Sequence, residues 1–143
     1  MPDILHDFPI NAPVTRVFEA VSTPRGLDQW WTKRSAGAAG TGATWELFFG
    51  PEYDWRAIVT RSTPPVEFEL ELVVAMDDWI GTRVGFALEP HGEATQVRFR
   101  HLGWGEASEH YRISTYCWAM YLRILKRHLE HGEIVPYEDR LDV

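Results

Sequence analysis

The stretch from Glu106 to His131 constrains this chain more than any other. Read at about 100° per residue, it places Tyr111, Ser114, Trp118, Tyr121, Leu122, Leu125 and Leu129 on one face, with Arg112, Arg123, Lys126, Arg127 and Glu130 opposite. That spacing predicts an amphipathic helix of roughly seven turns. Gly132 follows where a left-handed C-terminal residue suits glycine, and Lys126, Arg127 and His128 sit near the negative end of the helix dipole. A helix of this length needs a broad apolar surface to lie on. Its inward face also changes character: the C-terminal half is leucine, whereas Tyr111, Ser114 and Trp118 bring polar atoms that need partners when buried. A pocket is expected beneath that N-terminal half.

The rest of the chain reads mainly as strands. Ile4 to Ile10 alternates, with His6 among the inward residues. Asn11-Ala12-Pro13 opens a short helix with Val14, Val17, Phe18 and Val21 as its stripe, and Ser22-Thr23-Pro24 ends it and opens a second that carries Leu27, Trp30 and Trp31. Thr32 to Ala43 reads as a loop. Its glycines lack the Gly-Lys-Ser/Thr ending of a phosphate-binding loop, so a connection or pocket lid is expected, near the cavity mouth. Strands are expected over Thr44 to Phe49, Trp55 to Ser62, Val66 to Met76 and Ile80 to Glu89, with a last one through Val97, Phe99 and His101.

Val66 to Met76 alternates most clearly, with Val66, Phe68, Leu70, Leu72 and Val74 on a buried face and Glu67, Glu69 and Glu71 on a wet one. Phe86, Phe99 and His101 fall on inward positions. Glu46 and Arg56 read as a solvent-facing cross-strand pair. The predicted order is strand, two short helices, five strands and a long helix: an α+β meander closed by its last helix, in one domain over residues 1–143.

Net charge is −7, with 14 basic and 21 acidic residues and no basic cluster, which argues against nucleic acid or an anionic membrane surface as partner. The single cysteine, Cys117, excludes an internal disulfide, and no stretch approaches a membrane span, so a soluble cytoplasmic protein is expected. No cofactor or metal set stands out: His128 and His131 lack a third ligand, and there is no Gly-x-Ser-x-Gly elbow. Seven tryptophans favour a ligand cavity or an interface.

The chain resembles a known family in the order of its short motifs. These are Ala12-Pro13-Val14 with Val17-Phe18, Leu27-Asp28-Gln29-Trp30-Trp31, Thr63-Pro64-Pro65 before a strand, Thr95-Gln96-Val97, and His101-Leu102-Gly103-Trp104 before a long C-terminal helix. They resemble the homologues of the heat-shock-protein-90 ATPase activator, within the START/Bet v 1-like (SRPBCC) superfamily that includes polyketide cyclases. The resemblance implies a helix-grip fold, a curved antiparallel sheet wrapped around the long helix with a cavity between them.

Under that resemblance the expected function is binding of a small, mostly apolar molecule. Trp30, Trp31, Trp45, Trp79, Phe86, Phe99, Trp104 and Trp118 are the expected wall, and His101, Tyr111 and Ser114 the polar contacts. The alternatives are a cyclase or hydrolase using His101 as acid or base, and a chaperone-regulating interaction module. Ile113, Met120 and Ile124 beside Cys117 widen the helix's apolar sector, so that either the two short helices cover it or a second copy does, which raises the prospect of a homodimer.

Overall fold

The computed structural model describes residues Met1–Val143. β1 (Ile4–Ile10) leads into α1 (Val14–Ser22) and a one-turn α2 (Pro24–Leu27). Six strands follow: β2 (Arg34–Ala36), β3 (Thr44–Phe48), β4 (Asp54–Thr63), β5 (Glu67–Val74), β6 (Arg83–His91) and β7 (Ala94–Leu102). The chain ends in α3 (Glu109–His131) and a short 3-10 turn at Tyr137–Asp139. The seven strands form one antiparallel sheet in the order β1-β7-β6-β5-β4-β3-β2. That is the expected curved antiparallel sheet gripping a long C-terminal helix. Phe68, Leu70, Phe86, Val97 and Phe99 on its inner face pack with Trp118, Leu122, Leu125 and Leu129 of α3 into one core.

Local chemistry sets the ends of α3. It begins at Glu109 rather than Glu106, because the Ser108 hydroxyl accepts a bond from the Tyr111 amide at 3.1 Å and caps the first turn. Gly132 ends it at φ 69°, the left-handed position that glycine adopts without a side-chain penalty.

The structure corrects several expectations. Thr32 to Ala43 is not all loop: Arg34–Ala36 pairs with Phe48, Leu47 and Glu46 as a three-residue edge strand, too short and polar to show alternation. α2 stops at Leu27, and Trp30 and Trp31 follow in a turn whose amides bond to the Leu27 carbonyl. Ile80 is not in a strand, because Met76 to Gly81 turns back on itself, with Trp79 and Ile80 amides bonded to the Met76 carbonyl and Gly81 at φ 83°. Glu69 is buried rather than wet. Gly85 sits opposite it on β6 and presents no side chain, so Arg100 reaches across from β7 to bond Glu69 (Nε to Oε2, 3.0 Å) and Glu67 (Nη2 to Oε2, 3.1 Å). Glu46 and Arg56 do face solvent as ladder partners, 3.4 Å apart.

Candidate functional site

Inner sheet and helix part company at one end, leaving a cavity of about 310 Å³. Helix spacing supplies one wall: His110, Ser114, Cys117, Trp118 and Tyr121 recur at three and four residues along α3. The β3–β4 turn and the start of β4 bring Phe49, Tyr53 and Trp55, and the β5–β6 turn brings Met76 and Trp79. Trp31 closes the side after α2. Tyr53, Met76 and Ile113 are exposed at the rim, so the cavity opens to solvent.

The last wall comes from the C-terminal segment. Arg140 is buried and donates to three carbonyls: Nε to Val135 at 3.1 Å, Nη1 to Thr32 at 3.1 Å and Nη2 to Asp28 at 2.7 Å. This clasp holds Tyr137 against the cavity, where its hydroxyl donates to the Phe49 carbonyl at 2.9 Å.

Aromatic packing fixes the remaining rings. Trp55 lies 5.0 Å from both Phe49 and Trp79, Trp31 lies 5.1 Å from Trp118, and Trp79 and Trp118 stack at 6.0 Å with 20° between planes. Behind that pair is His101, fully buried. The Trp118 indole N–H donates to His101 Nδ1 at 3.1 Å, which leaves the proton on Nε2, 2.8 Å from Thr82 Oγ1. Thr82 in turn donates to the Trp79 carbonyl at 2.6 Å. Burial, with a smaller contribution from His110, lowers the His101 pKa to about 3. His101 is therefore a neutral strut between the two tryptophans, with both nitrogens engaged.

The polar groups on the cavity itself are few. Ser114 is buried and its hydroxyl makes no hydrogen bond within the chain. His110 Nδ1 lies 2.7 Å from Asp78 Oδ2 on the β5–β6 turn. Burial pushes the Cys117 thiol and the Tyr121 phenol up, so both stay protonated at neutral pH. No group of three metal-ligating side chains is present. Such a wall can hold an apolar molecule and bond to a few of its polar atoms.

A profile of the Activator of Hsp90 ATPase homolog 1-like proteins matches residues 11–130. The chain belongs to this family. A solved Aha1 dimer from Colwellia psychrerythraea is 31% identical, covers 93% of this chain and 99% of its own, and superposes with a TM-score of 0.84. Protein BH1534 from Bacillus halodurans is 25% identical over 91% of this chain and 98% of its own, with a TM-score of 0.76. CalU16 from Micromonospora echinospora shares the fold at 19% identity, covering 98% of this chain and 83% of its own, with a TM-score of 0.72. Among curated proteins none matches. In this chain the space between the sheet and the N-terminal half of α3 is open.

Within this family frame, Trp31, Trp79, Ser114 and Trp118 line the cavity among the residues expected there. The others stand behind its first layer. Trp30 and Trp45 are core rings whose indole N–H groups bond to the Ala20 and Ala38 carbonyls, at 2.9 and 3.0 Å. Phe86 packs on Phe99 at 5.3 Å, and Phe99 on Trp118 at 4.6 Å. Trp104 packs edge-on against Tyr111 at 5.4 Å, and the Tyr111 hydroxyl is taken by the Asp3 carbonyl at 2.7 Å. The glycine-rich loop is not at the mouth. Its Gly37 lies against the Trp45 ring so closely that a Cβ would come within 2.3 Å, and the mouth is framed by the β3–β4 and β5–β6 turns.

Sequence reasoning missed His110, Tyr53 and Tyr137. His110 had a signal, since it precedes Ser114 by one turn on the same helix face. Tyr53 and Tyr137 had none, because a turn and a terminal segment carry no periodicity that would place them.

Proposed function

We propose that this protein binds a small, mostly apolar molecule in the cavity between α3 and the sheet. The observation that carries the reading is the wall itself: of 13 lining residues 11 are hydrophobic, most are rigid aromatics, and the space opens to solvent. A binding role needs only that surface and a few polar contacts. The single free thiol and the absence of any helix long and apolar enough to cross a membrane support a cytoplasmic site of action.

The test is a titration with N-phenyl-1-naphthylamine, an uncharged dye whose emission rises in apolar surroundings. Saturable enhancement at one dye per chain, abolished in Cys117→Trp, is the expected result. Cys117 lines the cavity and is only partly buried, so the larger ring fills the space without entering the core. Enhancement that does not saturate, or that survives Cys117→Trp unchanged, would remove the proposal.

A homodimer is a second reading, favoured by the Colwellia psychrerythraea relative described as a dimer. On α3, Ile113 and Tyr116 are exposed apolar side chains in a position to meet a second copy. Sedimentation of the protein at micromolar concentration should give twice the chain mass, and Tyr116→Asp should return it to a monomer. A monomer in both excludes the reading.

A further inference from the structure

His110 is a polar group of the wall whose ring is held from behind by a carboxylate. Asp78 Oδ2 lies 2.7 Å from Nδ1, and a carboxylate can only accept, so Nδ1 carries its proton toward Asp78. In the neutral ring Nε2 then bears a lone pair, and Nε2 has no partner within the chain. Two tryptophans fix the ring plane: Trp79 stacks on it at 6.3 Å with 27° between planes, and Trp104 meets it edge-on at 5.8 Å. One helical turn further, the buried Ser114 hydroxyl is likewise unbonded.

The cavity wall thus carries an imidazole and a hydroxyl one helical turn apart on one helix, with aromatic rings making up most of the rest. No lysine, arginine or carboxylate lines it. A ligand carrying a full charge would lose its hydration with no countercharge in the wall to replace it. A neutral ligand with a hydroxyl to donate meets none of that cost, and flat rings match the Trp31, Trp55, Trp79 and Trp118 surfaces.

Resting on the binding role proposed above, we propose that His110 is the recognition base of this cavity. Its Nε2 accepts the O–H of a weakly acidic hydroxyl, a phenol or enol, on a flat aromatic ligand. Ser114 Oγ bonds a second oxygen of the same molecule. Asp78 is a positioning residue that sets the tautomer and the angle of the ring.

The test compares 2-naphthol with 2-methoxynaphthalene by isothermal titration calorimetry; the ether keeps the rings and loses the donor. The wild-type protein should bind 2-naphthol about tenfold tighter, the worth of one well-formed bond to a braced base. His110→Phe, which keeps the stacking on Trp79, should bind both probes equally, and Asp78→Asn should shrink the preference. Near-ultraviolet circular dichroism confirms that each variant is folded, and Asp78, on an exposed turn, carries the comparison if His110→Phe disturbs packing. Equal binding of both probes by the wild type, or a preference untouched in His110→Phe and Asp78→Asn, would overturn the role of His110 and leave the apolar cavity standing. If neither probe binds, the cavity reading falls and this inference with it.

Discussion

Replacing His101 by glutamine separates a structural histidine from a functional one, and the structure gives the size and sign of the effect. The ring is fully buried and its pKa falls from 6.5 to about 3. Between those values the unfolded chain takes up a proton that the native state refuses. The stability that His101 contributes is therefore complete above pH 6.5 and is lost progressively as pH falls toward 3. At about 1.4 kcal/mol per unit, the full loss is about 5 kcal/mol, of which about 3 is spent by pH 4.

Glutamine can donate to Thr82 and accept from Trp118, yet it fits the ring's space imperfectly, so His101→Gln should cost about 1–3 kcal/mol at pH 7.5. Urea unfolding of both proteins at pH 7.5, 5.5 and 4 measures the difference, in which every other titrating group cancels. The gap should close with acidification and invert by pH 4, the glutamine variant then being the more stable. A gap constant across this range would refute the neutral-strut assignment, because it would mean that native His101 takes up its proton as readily as the unfolded chain.

Gly85→Ala should destabilise by about 1–3 kcal/mol through Arg100, since a Cβ there falls 2.8 Å from Nε and displaces the guanidinium from Glu69; urea melts should show most of that cost vanishing in a Glu69→Gln background. Arg140→Leu removes three bonds to carbonyls, should cost about 2–4 kcal/mol by the same melts, and should weaken N-phenyl-1-naphthylamine binding as Tyr137 swings away. Cys117 is the single thiol and lines the cavity, so its reaction with iodoacetamide at pH 8 should be slower than that of a free thiol and slower again with bound dye; unchanged rates would place the dye elsewhere.

The fold was legible because its signals are periodic. The α3 stripe and the Gly132 stop appear in the structure within a few residues of where the spacing puts them, and in β5 Phe68, Leu70 and Leu72 turn inward as the alternation has them, whereas Val66 and Val74 at its two ends are exposed. The site was legible in region and not in detail. Parity correctly turns Phe99 and His101 inward, but it cannot tell whether an inward ring touches ligand space or the core behind it. Three partners took His101 out of reach: Trp118, Thr82 and the buried Trp79 ring, none of which is near it in sequence. Glu69 failed for a related reason. Its burial depends on a glycine and an arginine from two other strands, and alternation within one strand does not report what lies across the ladder.

The same contacts explain why an aromatic-lined space stays open. A flexible side chain would collapse into such a gap, because an unfilled apolar void forfeits dispersion contacts on its whole lining. The rings here are not free to do so. Trp118 is tied through its indole N–H to His101, and Trp79 is stacked between Trp118 and His110 while its turn is pinned by Thr82. Trp55 is wedged between Phe49 and Trp79, and Tyr137 is fastened at its hydroxyl to Phe49, while the Arg140 clasp holds the segment that carries it. His101 and Arg140 therefore serve the cavity without touching a ligand. If either brace is cut, the walls gain freedom to close, so Arg140→Leu should lower dye affinity even though Arg140 lines no part of the space.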